Sequence, residues 1–222
     1  MKKASLILMV FFIVSTAAAQ EFKFMAGPVV SGYSDQWPRP SYWVMDSFNL
    51  NPFANARMGF LCGLGVEFEI AKRIGLGLDV LYFHKGGAFV WGTPIWTSFK
   101  EAYEMKGFSL PVTVKLRVLP RPFPYFLAGA ECSLIFSHSR STLIKGEASR
   151  IYKKYSEEDL MDATRRIDFG PVLGFGFEMK RQTGRVFFEA RYSIGLRNLV
   201  DWYDTGIKSR ISSLAILAGY QF

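Results

Sequence analysis

The chain has 222 residues, of which 50% are hydrophobic and 16% aromatic, and its formal net charge is +8. Its two cysteines are too few for a disulfide framework. After residue 19 no uninterrupted apolar stretch is long enough for a membrane-spanning helix. The basic excess is modest and dispersed, and nucleic-acid motifs are absent, which favours weak surface electrostatics over nucleic-acid binding.

The first 19 residues carry the features of an export signal. Lys2 and Lys3 form a basic start, residues 4–16 an apolar run, and Ala17 to Ala19 a small-residue cleavage site. The apolar run is shorter than the roughly 20 residues that a membrane-anchoring helix needs. We therefore predict a cleaved signal peptide at 1–19 and a single domain at 20–222.

From Phe22 onward, apolar and polar residues alternate with period two, which is the pattern of β-strands. The alternation resumes after each interruption, and no composition shift marks a linker. The pattern predicts an all-β domain of eight strands, at 22–33, 57–71, 74–85, 104–118, 124–138, 166–180, 185–197 and 209–222.

One face of these strands is bulky and apolar, as with Phe60 and Leu64, and the other mixes glycines with charges, as with Gly63 and Glu67. A soluble sandwich or a lipocalin-like barrel also has one apolar and one polar face. Glycines weaken strands, so a water-facing surface gains little from them. A crowded interior benefits from them, because they leave room for larger side chains. The apolar face is therefore predicted to meet lipid.

The connections between the strands alternate between short and long. Those at 72–73, 120–124 and 181–184 are short, and those at 34–56, 86–103, 139–165 and 198–208 are long. Short periplasmic turns and long extracellular loops are typical of outer-membrane barrels. The prediction is an eight-stranded antiparallel up-and-down transmembrane β-barrel with long extracellular loops in the bacterial outer membrane.

Two shorter signals accompany this pattern. Ser156 followed by Asp159, with Arg165 and Arg166 further on, predicts a short loop helix near 157–165. The final strand ends with Tyr220 and Phe222, which resembles the terminal signal read by the barrel assembly machinery. Aromatic residues cluster near both strand ends, as interfacial girdles do.

Charged residues fall on the predicted interior face, and an eight-stranded barrel is only wide enough for side chains to fill it. We therefore expect an ion-paired plug and not a pore, although a narrow channel is an alternative. The plug residues are Glu67, Glu69, Lys115, Arg117, Glu131, Glu189 and Arg191, and Asp79, Asp168, Glu178 and Arg197 share their face.

The first two long loops are rich in aromatic residues beside basic ones. This composition favours binding of a protein, a glycan or lipid headgroups, although an interfacial aromatic belt explains it equally well. The candidate binding surface comprises Trp37, Arg39, Tyr42, Trp43, Trp91 and Trp96.

No catalytic or cofactor-binding pattern stands out. The two histidines, His84 and His138, show no metal-ligand spacing, and Arg140 stands where a His-x-Ser motif would need serine. We predict a non-enzymatic protein without cofactors. An outer-rim lipid or peptide hydrolase that uses His138 is the alternative.

Three segments resemble the PorT-like outer-membrane barrel family of Bacteroidetes-type bacteria: FSLPVTVK at 108–115, DFGPVLGFGFE at 168–178 and EARYSIGL at 189–196. The resemblance implies the barrel fold and the outer-membrane location. It specifies no chemistry, and it implies a role in secretion or the cell envelope for only some members.

Overall fold

A computed structural model describes residues 20–33, 56–92, 97–118, 123–146, 153–199 and 210–222. The strands are β1 Gln20–Tyr33, β2 Arg57–Ala71, β3 Ile74–Gly92, β4 Thr97–Arg117, β5 Phe123–Gly146, β6 Lys153–Asp159, β7 Ile167–Lys180, β8 Arg185–Ile194 and β9 Ile211–Gln221, with a 3-10 turn at Met161–Ala163. No helix in these ranges is long and apolar enough to cross a membrane.

Eight of the strands close into an antiparallel barrel, as predicted. Each pairs with its neighbours along the chain, except that β5 pairs with β7 over residues 123–134 and with β6 only further along, over residues 139–144. Closure is made by β1 and β9, where Lys23 faces Gln221. A closed sheet has no unpaired edge, so its backbone polar groups are satisfied without water.

The two ends of the barrel differ. At one end Lys72 and Arg73 link β2 to β3, residues 181–184 link β7 to β8, and the backbones of Phe22 and Phe222 exchange two hydrogen bonds. We call this the short-turn end and the opposite one the long-loop end.

The outward face of the barrel is apolar. Leu64, Leu173 and Ile216 are each more than half exposed. This is the surface that lipid covers in a membrane-embedded barrel, and in water it would be strongly unfavourable.

Aromatic rings border this apolar belt at both ends. At the short-turn end Phe22 stacks on Phe222, Phe24 on Tyr220 and Phe177 on Phe188, with ring centroids 5.3 to 6.4 Å apart. Towards the long-loop end Tyr82 contacts Phe60, Phe108 and Phe136, with centroids 5.7 to 6.3 Å apart. We call these four residues the outer aromatic row.

Beyond this row, β3, β4 and β5 continue past the ends predicted for them, and β6 pairs with the extended part of β5. Val90 faces Lys100, and Ala102 faces Ser141, so most of the predicted loops 86–103 and 139–165 are strands. We call this part of β3 to β6 the projecting sheet. It extends the barrel wall away from the belt.

The predicted helix near 157–165 is wrong over most of its length, because residues 153–159 form β6 and only Met161–Ala163 form a 3-10 turn. Arg140 and Glu158 face each other across β5 and β6 and form an ion pair. The extended β5 offers unpaired backbone groups over 139–144, which a strand satisfies and a helix does not. Asp159 instead accepts a hydrogen bond from the Met161 N–H, at 2.9 Å, at the start of the 3-10 turn.

A register shift in β5 changes which side chains point inward. Gly107 faces Ile135, whereas the next residue back along β4, Lys106, faces Ser137, so Phe136 is the extra residue of a bulge. Strict alternation would put His138 outward with Leu134 and Phe136. The bulge instead turns His138 inward, where it is fully buried.

The interior also holds a large apolar cluster, which the pattern of glycines and charges did not predict. Leu160 and Leu199 enter it from the connections that follow β6 and β8. The cluster also contains Met25, Val29, Tyr33, Leu61, Leu81, Phe83, Tyr103, Met105, Ile135, Phe187, Ile211, Ala215 and Leu217.

Candidate functional site

The interior near the short-turn end holds a compact group of ion pairs. The Lys115 ammonium lies 2.5 Å from Glu67, and Arg117 contacts Glu67 at 2.6 Å and Glu178 at 2.7 Å. Lys115 also lies 3.4 Å from Glu178. Each of the two cations therefore contacts both carboxylates, an arrangement that compensates much of the cost of burying charge.

A second group lies beside the first. Asp79 contacts Lys23 at 2.8 Å and Arg191 at 2.9 Å, and Arg191 also pairs with Glu189. The Tyr125 hydroxyl donates to Glu189 at 2.8 Å. The Tyr125 ring also lies 4.4 Å from the Lys115 ammonium, so it joins the two groups.

Together these residues form what we call the interior charge cluster: Lys23, Glu67, Asp79, Lys115, Arg117, Glu178, Glu189 and Arg191. All eight are buried. Four are basic and four acidic, so the cluster is formally neutral and needs no bound counterion. Sequence reasoning missed Lys23, although its position between the outward Phe22 and Phe24 indicates an inward side chain.

Glycines provide the space for these charges. Gly65 faces Asp79, Gly75 faces Lys115, and Gly77 faces Glu67 across β2, β3 and β4. A Cβ atom at Gly65 would lie 2.1 Å from the Asp79 carboxylate, and one at Gly75 would lie 2.8 Å from that of Glu67. The glycine pattern and the charge pattern thus have one cause, the small radius of the barrel.

Two predicted plug residues lie apart from the cluster. Glu69 is at the short-turn rim, where it is exposed and reaches Arg117 only at 3.7 Å. Glu131 lies further towards the long-loop end, 3.8 Å from the Lys85 ammonium, and accepts a hydrogen bond from Ser133 at 3.0 Å. Lys85, Glu131 and Ser133 line a cleft that Asp168 also borders.

The remaining predicted site residues divide into two sets. Tyr220 and Phe222 stack on each other in the aromatic border at the short-turn end. Their role as an assembly signal stays a prediction. Of the loop surface, the structure describes only the backbone of Trp91, in β3. Trp37, Arg39, Tyr42, Trp43 and Trp96 lie outside the described residues, as does the predicted signal peptide.

A buried hydrogen-bonded chain at the long-loop end contains His138, the candidate of the hydrolase alternative. The Thr164 hydroxyl donates to the Leu160 carbonyl at 2.6 Å, so it accepts from His138 Nδ1, 2.7 Å away. His138 Nε2 then accepts from the Tyr33 hydroxyl at 3.3 Å. This chain connects β5, the turn after β6 and the end of β1, and it contains no serine.

Among the described residues, no three histidine, cysteine or acidic side chains are grouped as a metal ion requires.

Comparison with known proteins places the chain in a family. The family model described as outer membrane protein beta-barrel domain matches residues 18–201. No curated protein sequence matches the chain.

Several solved structures are similar at low identity. Ail of Yersinia pestis, in complex with the heparin analogue sucrose octasulfate, is 13% identical, covers 91% of this chain and 99% of its own, and has a TM-score of 0.42. OprG of Pseudomonas aeruginosa is 11% identical, with coverage of 92% and 96% and a TM-score of 0.42. Neisserial surface protein A is 13% identical, with coverage of 90% and 97% and a TM-score of 0.41.

Removing one carboxylate from the interior charge cluster is expected to destabilise the barrel. Asp79→Asn leaves Lys23 and Arg191 buried without their shared anion, which we expect to cost about 3 to 5 kcal/mol of unfolding free energy. Urea unfolding in lipid vesicles, followed by tryptophan fluorescence, measures this loss.

Two further variants serve as controls for this measurement. The double variant Asp79→Asn/Lys23→Met restores neutrality and should recover part of the loss. Asp162→Asn alters an exposed acid and should change stability by less than about 0.5 kcal/mol. A single Asp79→Asn variant as stable as the original protein would contradict the argument.

Acid is expected to loosen the turn held by His138, which lies beyond the outer aromatic row. Burial lowers the pKa of His138 from 6.5 to about 4, and nearby Asp159 offsets part of this effect. Between pH 6.5 and 4, His138 binds a proton when the turn has opened and exposed it to water, but not while the turn is closed and His138 is buried. The free energy of opening therefore falls by up to about 3 kcal/mol as the pH drops from 6.5 to 4.

Hydrogen exchange at the Leu160 and Thr164 amides, corrected for intrinsic exchange rates, reports this opening. His138→Gln keeps an amide that can hydrogen-bond but removes the titrating group, so its exchange should lose most of this pH dependence. An unchanged pH dependence in that variant would rule out His138 as the origin.

Proposed function

Since this chain belongs to the outer membrane β-barrel domain family and is located in the bacterial outer membrane, we propose that it is a non-enzymatic binding or structural protein. In this proposal the filled barrel is a rigid platform. The function resides at the long-loop end, on the projecting sheet and the aromatic loops.

The filled interior is the observation that carries this proposal. The neutral charge cluster fills the interior near the short-turn end. The apolar cluster packs beside it and continues towards the long-loop end, where Lys85, His138 and Asp168 are also buried. Leu160 and Leu199 are almost completely buried and add connecting segments to the apolar side. Paired charges followed by packed apolar side chains make a poor path for water or ions, which argues against the channel alternative.

The environment of His138 supports a non-enzymatic role. An outer-rim hydrolase needs a base that reaches both its nucleophile and the substrate. The His138 ring has no exposed surface, and both its nitrogens are engaged, by Thr164 and Tyr33. The Thr164 hydroxyl is itself buried and donates to a carbonyl, which leaves it poorly placed for attack.

The binding surface itself is proposed from the sequence. Trp37, Arg39, Tyr42, Trp43, Trp91 and Trp96 combine aromatic area with positive charge, which suits a protein or glycan partner. The PorT-like resemblance adds a link to secretion or the cell envelope. We also propose that the cleaved signal peptide directs export and that the Tyr220 and Phe222 strand is recognised by the barrel assembly machinery.

The plugged interior predicts an absence of conductance. The purified protein in planar bilayers should give no stepwise current across the voltage range in which an open porin control conducts. Reproducible unitary currents that scale with protein concentration would contradict the plugged barrel and favour the channel alternative.

The loop surface predicts a loss of partner capture. Trp37→Ala/Trp43→Ala should reduce partner recovery from native outer membranes at least fivefold, because buried aromatic anchors dominate binding energy. Trp202→Ala, which alters a tryptophan of the predicted loop 198–208 outside the candidate surface, is the matched control and should recover as much partner as the original protein does. Equal recovery by all three proteins would refute this location.

A further inference from the structure

Basic side chains gather just beyond the outer aromatic row, around Glu104 on the outward face of β4. His84 faces Phe60 on one side and Lys106 on the other, and its ring lies 5.7 Å from that of Phe60. Arg57, at the start of β2, reaches Glu104. We call Arg57, His84 and Lys106 the outward basic group.

The group lies at a specific depth. Lys106 is two residues beyond Phe108, so its Cα lies about 7 Å further along the strand. Aromatic rows in outer-membrane barrels border the apolar band, where the acyl chains end and the headgroups begin. A cation one alternation beyond such a row is therefore level with the headgroup phosphates, while the rings below it meet the upper acyl chains.

The local charge is positive. Glu104 pairs with Arg57 and lies 3.4 Å from His84 Nε2, and ionised Arg57 holds the pKa of this carboxyl below its usual value despite partial burial. Lys106 has no acidic partner among the residues that the structure describes. The group thus combines two permanent cations and a histidine with a single carboxylate, and all four side chains are partly exposed.

We propose that the outward basic group binds the phosphate of a phosphorylated lipid in the outer leaflet. Lys106 provides the unpaired charge, and Arg57 and His84 provide further N–H donors that phosphate accepts well. The site opens sideways, directly above Phe60, Tyr82 and Phe108, so a lipid can place its acyl chains on these rings while its phosphate reaches Lys106. This site is separate from the proposed loop surface and goes beyond the proposed function.

The test measures lipid retained by the protein in phosphatidylcholine nanodiscs doped with bis-phosphorylated lipid A. Native mass spectrometry after gentle release counts the bound lipid A. Lys106→Ala should lower retention about fivefold, since one lysine near an anionic surface contributes roughly that factor. Glu104→Gln should raise retention, because it removes the carboxylate that competes with phosphate for Arg57.

Matched controls separate this site from general charge. Lys72→Ala removes the same charge at the short-turn end and should leave retention unchanged. The original protein should retain dephosphorylated lipid A only weakly. Its retention should match that of phosphorylated lipid A by the Lys106→Ala variant. The heat-dependent gel mobility of each variant confirms that the barrel has folded.

Three results would overturn the proposal. The first is equal retention by Lys106→Ala and Lys72→Ala, and the second is equal retention of phosphorylated and dephosphorylated lipid. The third is displacement of lipid A by millimolar inorganic phosphate, which would identify a site for soluble anions and not for lipid.

Discussion

The small radius of an eight-stranded barrel is the constraint on which the rest of the structure depends. Every inward side chain must share a narrow space with residues from the opposite wall. A buried charge is tolerated there only when its partners are in contact and its neighbours leave room. Asp79 meets both conditions, because it contacts Lys23 and Arg191 while Gly65 faces it from β2.

The narrow radius also explains why paired charges and packed apolar side chains together fill the interior. The charge cluster is formally neutral, because its four basic side chains are paired with four acidic ones. Towards the long-loop end, apolar side chains fill much of the interior, and Leu160 and Leu199 contribute to this packing from connecting segments. A barrel filled in this way is rigid but offers little internal room for chemistry. The surfaces left for recognition are the long-loop end and the headgroup-level face beside the outer aromatic row.

Sequence alternation predicted the eight barrel strands, because every strand of a membrane barrel has one apolar face towards lipid and one face of small or charged residues towards the interior. This contrast between the two faces repeats along each strand. The prediction was wrong where a strand leaves the bilayer. Beyond Phe136, side chains on both faces meet water or other protein segments, so the contrast disappears. The extension of β3 to β5 was therefore predicted as loop, and the polar residues of β6 were predicted as a helix.

By itself, then, the sequence determined the barrel class, the outward face and the identity of most buried charges, since each follows from local periodicity. Only the tertiary structure decided which charges are partners, because Glu178 joins Arg117 through register between distant strands. It also decided the orientation of His138, which depends on a single-residue bulge at Phe136. Pairing register and bulges arise from contacts between strands, and no pattern along one strand encodes them.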